Sequence, residues 1–336
     1  TAQEDGPMPT ARIGFVGGGD VAERHAESLA RMDGVSVAAV AEARPKPREA
    51  FVRRTGARPY TGHDAMLDAE ELDALYVCVP PYAHGAPEAA AIERGLPFFV
   101  EAPLSVTAEV AERIAAAVRE RGLITAVGYH WRYFGTVEEA AGVLAAGPPA
   151  LVTGHWLNRF PGTGRWVDEE PGGWLVGQLT PLLDLARLLA GEYEIVHAQE
   201  TRGPAVTGGD DRPAVTCALR FASGAIGTLS SAPLLRRGDR LGMEFARDGV
   251  VVRLTGSELV VDDGTARRAV VCQDDPLARE AADFVTAVRG GPNRIRAPYE
   301  EALRTHRLAL TAAEAARPDT VAAGPPEPVI RGDGCD

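Results

Sequence analysis

ARIGFVGGGDVAERHAESLARM, residues 11–32, begins as an apolar, β-rich run, breaks at three successive glycines and continues with apolar positions at helical spacing. Strand, glycine turn and helix follow in that order. Within it, Gly17-Gly18-Gly19-Asp20-Val21-Ala22 fits G-x-G-x-x-G/A. Gly17 permits the tight turn, Gly19 lets backbone approach a pyrophosphate, and Ala22 allows the helix to pack closely on the sheet. The start of the helix, with Asp20 and Val21, then faces the phosphates. A dinucleotide site is the expectation.

Outward from this unit the first half keeps the same alternation. VSVAAVAE (35–42), LDALYVCVP (72–80), LPFFVEAP (96–103) and GLITAVGY (122–129) read as buried strands, with helical runs at 85–95 and 107–122. Apolar strands separated by helices predict a parallel sheet covered on both faces. After about residue 126 the pattern changes. Residues 150–173 are rich in Gly, Pro and Trp, a helical run spans 179–191, and 212–232 and 248–264 alternate as strands broken by turns such as Ser223-Gly224. Helices near 276–289 and 299–315 follow. The expected fold class is α/β: a Rossmann doubly wound parallel sheet over 1–125, an α/β domain with an open, mostly antiparallel sheet over 126–320, and a loose tail over 321–336.

The end of the second strand selects the cofactor, since a carboxylate there accepts both ribose hydroxyls whereas an arginine welcomes a 2'-phosphate. Glu42 favours NAD. Arg44 and Lys46 lie close behind, so NADP stays open, as does a purely structural role for Glu42.

Composition excludes several classes. The 336 residues carry 35 basic and 47 acidic side chains, a net charge of -12, and no basic block, so a nucleic-acid partner is not expected. No apolar run reaches the roughly 18–20 residues of a membrane span, and the acidic opening TAQEDGPMPT is no secretory signal, which makes a cytoplasmic protein the expectation. Cys78, Cys217, Cys272 and Cys335 are scattered without C-x-x-C or metal-ligand spacing, so neither a disulfide framework nor a metal site is expected. Of the basic residues only Lys46 is a lysine. Any chemistry that needs an ammonium group therefore has one candidate.

Several separate stretches resemble the Gfo/Idh/MocA family, the glucose-fructose oxidoreductase and inositol 2-dehydrogenase group. They are RIGFVGGGDVAERH (12–25), VCVPPYAHGAPEAAAIERGLPFFVEAP (77–103), VGYHWRY (127–133), PGGWLVGQLTPLLDLARLLAGE (171–192) and RAPYEEALRTHRLALTAAEAAR (296–317), in the family's order. The resemblance implies a nicotinamide between two domains, hydride transfer with a sugar, polyol or related carbonyl compound, and a homodimer or homotetramer formed through the second sheet. It also implies contacts from Pro80 and His84 near the cofactor, with capping and packing as the other reading of His84, and from Glu101 to the nicotinamide ribose.

Two positions depart from the family pattern. The lysine of Glu-Lys-Pro is Ala102, and the histidine before x-x-Asp-Leu is Pro181; Gly177 stands where a Glu is common. Neither side chain carries a proton, and removing a positioned acid or base typically slows a reaction by about 10² to 10⁴. A drift to arginine through base composition would have kept the charge at 102, so the loss is specific.

His130 and Tyr129 on the junction are candidate substitutes for the acid and base, and Asp184 is a further catalytic or substrate-binding candidate. Packing beside Trp131 is the other reading of His130, and pairing with an arginine the other reading of Asp184. Arg132, Tyr133, Trp166 and Gln178 are candidates for binding substrate. His155, Trp156 and Arg165 could cover the site, while His25 and His306 are assigned to structure.

The leading function is an NAD(P)-binding oxidoreductase acting on a sugar-like or other oxygenated small molecule through an atypical proton relay. A cofactor-binding lyase, cyclase or isomerase without net redox is the second reading, and a non-catalytic cofactor sensor with a protein partner is the third.

Overall fold

In the computed structural model, residues 10–159, 173–201 and 214–316 are described. The first sheet contains β1 (Ala11–Val16), β2 (Val35–Ala41), β3 (Arg58–Tyr60), β4 (Ala74–Val77), β5 (Phe98–Val100) and β6 (Thr125–Val127). All pair in parallel in the order β3-β2-β1-β4-β5-β6. Ile13, Phe15, Leu75, Tyr76, Phe98 and Phe99 are fully buried, because helices cover both faces. Those helices are α1 (Asp20–Leu29), α2 (Pro45–Thr55), α3 (His63–Ala69), α4 (Ala86–Glu93) and α5 (Ala108–Arg121). Chain order reverses between β1 and its neighbour β4, and the crevice at such a switch point is where doubly wound sheets bind ligands.

A 3-10 turn at His130–Tyr133 leads into α6 (Gly135–Leu144), β7 (Leu151–Arg159), α7 (Gly173–Ala190), β8 (Tyr193–Thr201), β9 (Ala214–Phe221), β10 (Ile226–Leu235), β11 (Arg240–Arg247), β12 (Val250–Leu254), β13 (Glu258–Asp262) and β14 (Arg267–Val271). The second sheet runs β14-β13-β12-β11-β7-β10-β9-β8 and is antiparallel except where β7 meets β10. One face buries Val152, Leu229, Phe245 and Val252 against α7 and its neighbours. The other leaves Leu151, Ile226 and Val271 exposed. The parallel and mostly antiparallel sheets expected from the two halves of the sequence are both present.

The helical run expected at 179–191 begins earlier, at Gly173, and passes straight through Pro181. Proline removes one intrahelical donor, leaves the Gly177 carbonyl without its usual partner, and costs roughly 3 kcal/mol or more in a helix interior. Burial explains the tolerance: Leu179, Leu182, Leu183, Leu185 and Ala186 are fully covered. At roughly 1.5–3 kcal/mol for each large apolar side chain, this stripe outweighs the lost bond.

The last two helices, α8 (Pro276–Val288) and α9 (Tyr299–Ala315), return to the first sheet. Ala281, Phe284 and Val285 of α8 pack with Phe15, Tyr76 and Phe99. Tyr299, Ala302 and Leu303 of α9 join the core on the opposite face, while Ala309, Ala312 and Ala313 lie in the core of the second domain. Among the described residues no helix is long and apolar enough to cross a membrane.

One buried ion pair locks the junction. Arg132 donates from Nε and Nη2 to the two Asp184 carboxylate oxygens at 2.7 and 2.6 Å, and both side chains are 2% exposed. Its Nη1 reaches the Arg296 carbonyl at 2.6 Å, and Thr305 of α9 donates to Asp184 at 2.9 Å. Removing one charge from such a pair strands the other in a low dielectric. Asp184→Asn is expected to lower unfolding stability by about 3–5 kcal/mol, read by urea denaturation of the whole chain; a change below 1 kcal/mol would contradict this assignment.

Candidate functional site

Two openings meet at the C-terminal edge of the first sheet. A cleft of about 750 Å³ is walled by Gly17, Gly19, Asp20 and Val21 of the first turn, Glu42 and Arg44 after β2, and Pro80 and Pro81 after β4. A cavity of about 200 Å³ lies beside it, between Val21, Arg24 and His25 of α1, residues 128–131 of the junction, Trp156 of β7, Leu277 of α8, and Gly177, Thr180, Pro181 and Asp184 of α7. Val21, Glu101, Ala102 and Pro103 border both spaces.

The cleft has the features a dinucleotide requires. Gly17 sits at φ +93°, and a Cβ there would stand 2.2 Å from the Cys78 carbonyl oxygen, so only glycine fits. A Cβ on Gly19 would meet nothing within 4 Å: the open volume in front of it is room for a phosphate. Ala22 is 1% exposed and packed into the core behind. The first intrahelical bond runs from Glu23 N–H to the Gly19 carbonyl, which leaves the N–H groups of Asp20, Val21 and Ala22 outside the helix ladder and available to an anion.

Glu42 is already engaged. It accepts from the Gly18 N–H at 3.2 Å, from the Arg44 N–H at 2.9 Å, and from Arg44 Nε and Nη2 at 3.0 and 3.1 Å. Burial pushes its carboxyl up, but the Arg44 and Gly18 donors outweigh burial and hold it below the usual range. The Arg44 side chain is 67% exposed and can swing away at little cost. His84, by contrast, is turned into α4. Its Nδ1 meets Glu88 at 2.5 Å, and Glu88 caps the helix by accepting from the Gly85 N–H, so the ring holds the capping carboxylate and is absent from the cleft wall.

Of the catalytic candidates, His130 and Asp184 face the cavity, and Tyr129 borders it with its hydroxyl donating away, to the Ala302 carbonyl at 3.3 Å. Burial also pushes the Tyr129 phenol well up. Burial drives the imidazolium of His130 down to about 4 against a partial offset from Glu101, so the ring is neutral at pH 7. The carboxylate of Asp184 is held by Arg132.

The substrate candidates separate from the cavity. Arg132 is spent on Asp184, and the Tyr133 hydroxyl accepts from the Arg296 N–H at 3.0 Å. Gln178 accepts from Asn158 at 2.6 Å and Ser231 at 3.3 Å, tying α7 to the second sheet. Each of these polar groups is consumed by packing between elements. Trp166 and Arg165 lie outside the described residues. Trp156 does wall the cavity, edge-on to Trp131 with centroids 5.1 Å apart, while His155 points to the other face of the sheet, against Gly242.

Ala102 and Pro181, the positions that depart from the family pattern, both line the cavity. His25, assigned to structure from sequence, lines it too: its Nε2 meets Glu101 Oε1 at 2.5 Å. Burial raises the Glu101 carboxyl, but the bond and charge of His25, His130 and the Ala102 N–H lower it further, and the net displacement is downward. Gly128 is part of this seat, since a Cβ there would stand 2.8 Å from Glu101 Oε2. The i, i+3, i+4 spacing of Val21, Arg24 and His25 was the available sequence signal.

Comparison with known proteins adds an independent line. Residues 11–129 match the profile described as "Oxidoreductase family, NAD-binding Rossmann fold", and residues 136–257 match "GFO/IDH/MocA C-terminal domain". The rhizopine catabolism protein MocA of Rhizobium meliloti is 26% identical over 322 residues, covering 92% of this chain and 95% of that protein. A dTDP-3,4-didehydro-2,6-dideoxy-alpha-D-glucose 3-reductase of Streptomyces antibioticus is 34% identical over 137 residues, 40% of this chain and 42% of that protein. Among solved structures, levoglucosan dehydrogenase in complex with NADH and L-sorbose superposes with a TM-score of 0.81 at 20% identity, covering 92% of this chain and 97% of that one.

Gly19→Ala keeps an extended backbone at φ -83° and meets no protein atom. Thermal stability should therefore be unchanged while NADH binding weakens about tenfold or more, one decade per 1.4 kcal/mol. Fluorescence titration checks it, and unaltered affinity would remove the phosphate from this turn.

Proposed function

The chain belongs to the GFO/IDH/MocA family of NAD-binding oxidoreductases, and from that premise we propose that it oxidises or reduces one carbon of a small, sugar-like or otherwise oxygenated molecule held in the cavity beside Glu101. The observation that carries this reading is the shared border of cleft and cavity at Val21, Glu101, Ala102 and Pro103. A nicotinamide bound in the cleft supplies or accepts hydride. The Gly17–Ala22 turn holds the pyrophosphate, Glu42 takes the adenosine ribose hydroxyls once Arg44 swings aside, and Glu101 stands at the nicotinamide end.

Substrate class follows from size and lining. A cavity of about 200 Å³ lies below the roughly 300–1,000 Å³ typical of drug-sized ligands, and suits a single ring. The paired Trp131 and Trp156 offer it an apolar wall, and Glu101, His130 and Asp184 offer polar contacts. Among relatives, the reductase and levoglucosan dehydrogenase have sugars or their derivatives in their names. The open face of the second sheet, with Ile226 60% and Val271 64% exposed, is the surface we assign to self-association as a dimer or tetramer.

With Ala102 and Pro181 in place, neither a lysine ammonium at 102 nor an imidazole at 181 serves the reacting oxygen. Conversion without net redox is the second reading, and these two side chains are what favour it.

Rapid mixing of the protein and NADH with a panel of aldoses, ketoses and cyclic imines separates the two. Loss of reduced-cofactor absorbance with at least one compound is expected. Substrate conversion with no net change in the cofactor would establish the second reading, and no conversion despite tight NADH binding would contradict both. Cofactor preference is tested by Glu42→Gln, which should weaken NADH about ten- to a hundredfold, the worth of hydrogen bonds to a charged group at about 1.5–3 kcal/mol, and leave NADPH unchanged or tighter. An unchanged NADH to NADPH ratio would take the selecting role from Glu42.

A further inference from the structure

Beneath the cavity lies a group of buried polar atoms that the site as described does not use. Glu280 of α8 is 1% exposed, and neither carboxyl oxygen has a hydrogen-bond partner among the described residues. The Tyr129 N–H that faces it donates to the Val127 carbonyl at 2.6 Å. The Tyr76 hydroxyl of β4 and Nδ1 of His25 are likewise buried without a partner. These groups are neighbours. The Tyr76 and His25 rings lie 5.4 Å apart between centroids, and Phe284, one turn after Glu280, packs edge-on to Tyr76 at 5.6 Å. Leu277, one turn before Glu280, lines the cavity.

Buried polar groups are almost always satisfied, directly or through an ordered water. Three orphans at one place therefore call for a shared partner, an ordered water between them. If Nε2 of His25 donates to Glu101, Nδ1 needs a donor, and the two available are the Tyr76 hydroxyl and a protonated Glu280. Burial favours the neutral form of Glu280: it pushes the carboxyl well up, and the charges of Glu101 and Asp184 push the same way against smaller offsets from the Tyr129 N–H and Arg132. A neutral carboxyl both donates and accepts.

We propose that Glu101, held and oriented by a buried chain of His25, Tyr76 and Glu280 joined through one or more internal waters, exchanges the proton with the bound substrate. This rests on the oxidoreductase reading above. In the oxidation direction the substrate O–H bond breaks, its proton forms an O–H bond on Glu101, and the electron pair stays on the substrate oxygen. That proton then leaves Glu101 for solvent at its exposed edge, while His25 keeps its own on Nε2, donating to Glu101, and the inner water held by Tyr76 and Glu280 donates to Nδ1. Reduction runs the same path in reverse. Glu101 is placed for this, bordering both cleft and cavity with its side chain 19% exposed. Glu280 and Tyr76 touch no substrate and act as positioning residues. Glu101, held by this buried chain, supplies the proton exchange that Ala102 and Pro181 cannot.

Three readouts on the full chain test it. Infrared spectra at pH 7 should contain the carbonyl band of a neutral buried carboxyl that disappears in Glu280→Gln; the same spectrum in both proteins would overturn the buried acid. Nitrogen-15 NMR of the histidine rings should place a proton on Nε2 of His25, with the Nδ1 signal displaced in Glu280→Leu and restored towards wild type in Glu280→Gln, whose amide still donates. No displacement in either variant would overturn the link to His25. With a compound that turns over in the wild type, Glu101→Gln should slow the single-turnover step at saturating NADH about 10²-fold or more, and Glu280→Leu should slow it more than Glu280→Gln. Wild-type rates in Glu101→Gln would overturn the proposal. Failure of the wild type to bind NADH would instead overturn the function, leaving the infrared and NMR results to decide the buried network by themselves.

Discussion

The bidentate contact between Arg132 and Asp184 fixes where everything else in the site can be. Arg132 belongs to the turn that leaves the first sheet, Asp184 to the helix that floors the second, and both are 2% exposed. Arg187 of the same helix donates to Glu301 and to Thr305, which itself donates to Asp184. Three elements are thereby held to one geometry. A buried ion pair is weak evidence of stability, because desolvation offsets much of its attraction. Its value here is positional: the walls of the cavity cannot move independently of the end of the first sheet.

That arrangement explains how the pocket keeps its shape with Ala102 and Pro181 in its lining. Pro181 sits in a helix whose buried leucine stripe tolerates the missing hydrogen bond, and Ala102 leaves space at the meeting point of cleft and cavity. The groups that remain are mostly acceptors or neutral at pH 7: Glu101, Asp184, the freed Gly177 carbonyl and His130, whose imidazolium is held down to about 4. A site of this character places the burden of proton exchange on a carboxylate, and a carboxylate needs a partner behind it.

The nucleotide half of the site was legible in sequence because its determinants are local. Gly17, Gly19 and Ala22 act through backbone shape within six residues, and the structure puts each where the spacing implies. The substrate half was not, because its determinants are pairings across the chain. Arg132 and Asp184 are 52 residues apart and cancel each other, Gln178 is consumed by Asn158 and Ser231, and the Tyr129 hydroxyl is turned to a carbonyl of α9. His84, for which a cofactor contact and a packing role were both open, bonds Glu88, the carboxylate that caps its helix. Glu280 left only a faint trace, an acid in the phase of Leu277, Ala281 and Phe284, which a helical-period reading counts as an ordinary exception.

The central claim is that cleft and cavity form one site, with the nicotinamide end of a dinucleotide meeting the substrate at Glu101 and Ala102. The most direct test is a crystal structure of the protein with NADH. The pyrophosphate is expected against the Gly17–Ala22 turn and the nicotinamide between Glu101 and the mouth of the cavity, with its reactive face open to His130 and Pro181. A dinucleotide bound with its nicotinamide turned away into solvent, or a cavity sealed from the cleft once the cofactor is in place, would contradict it.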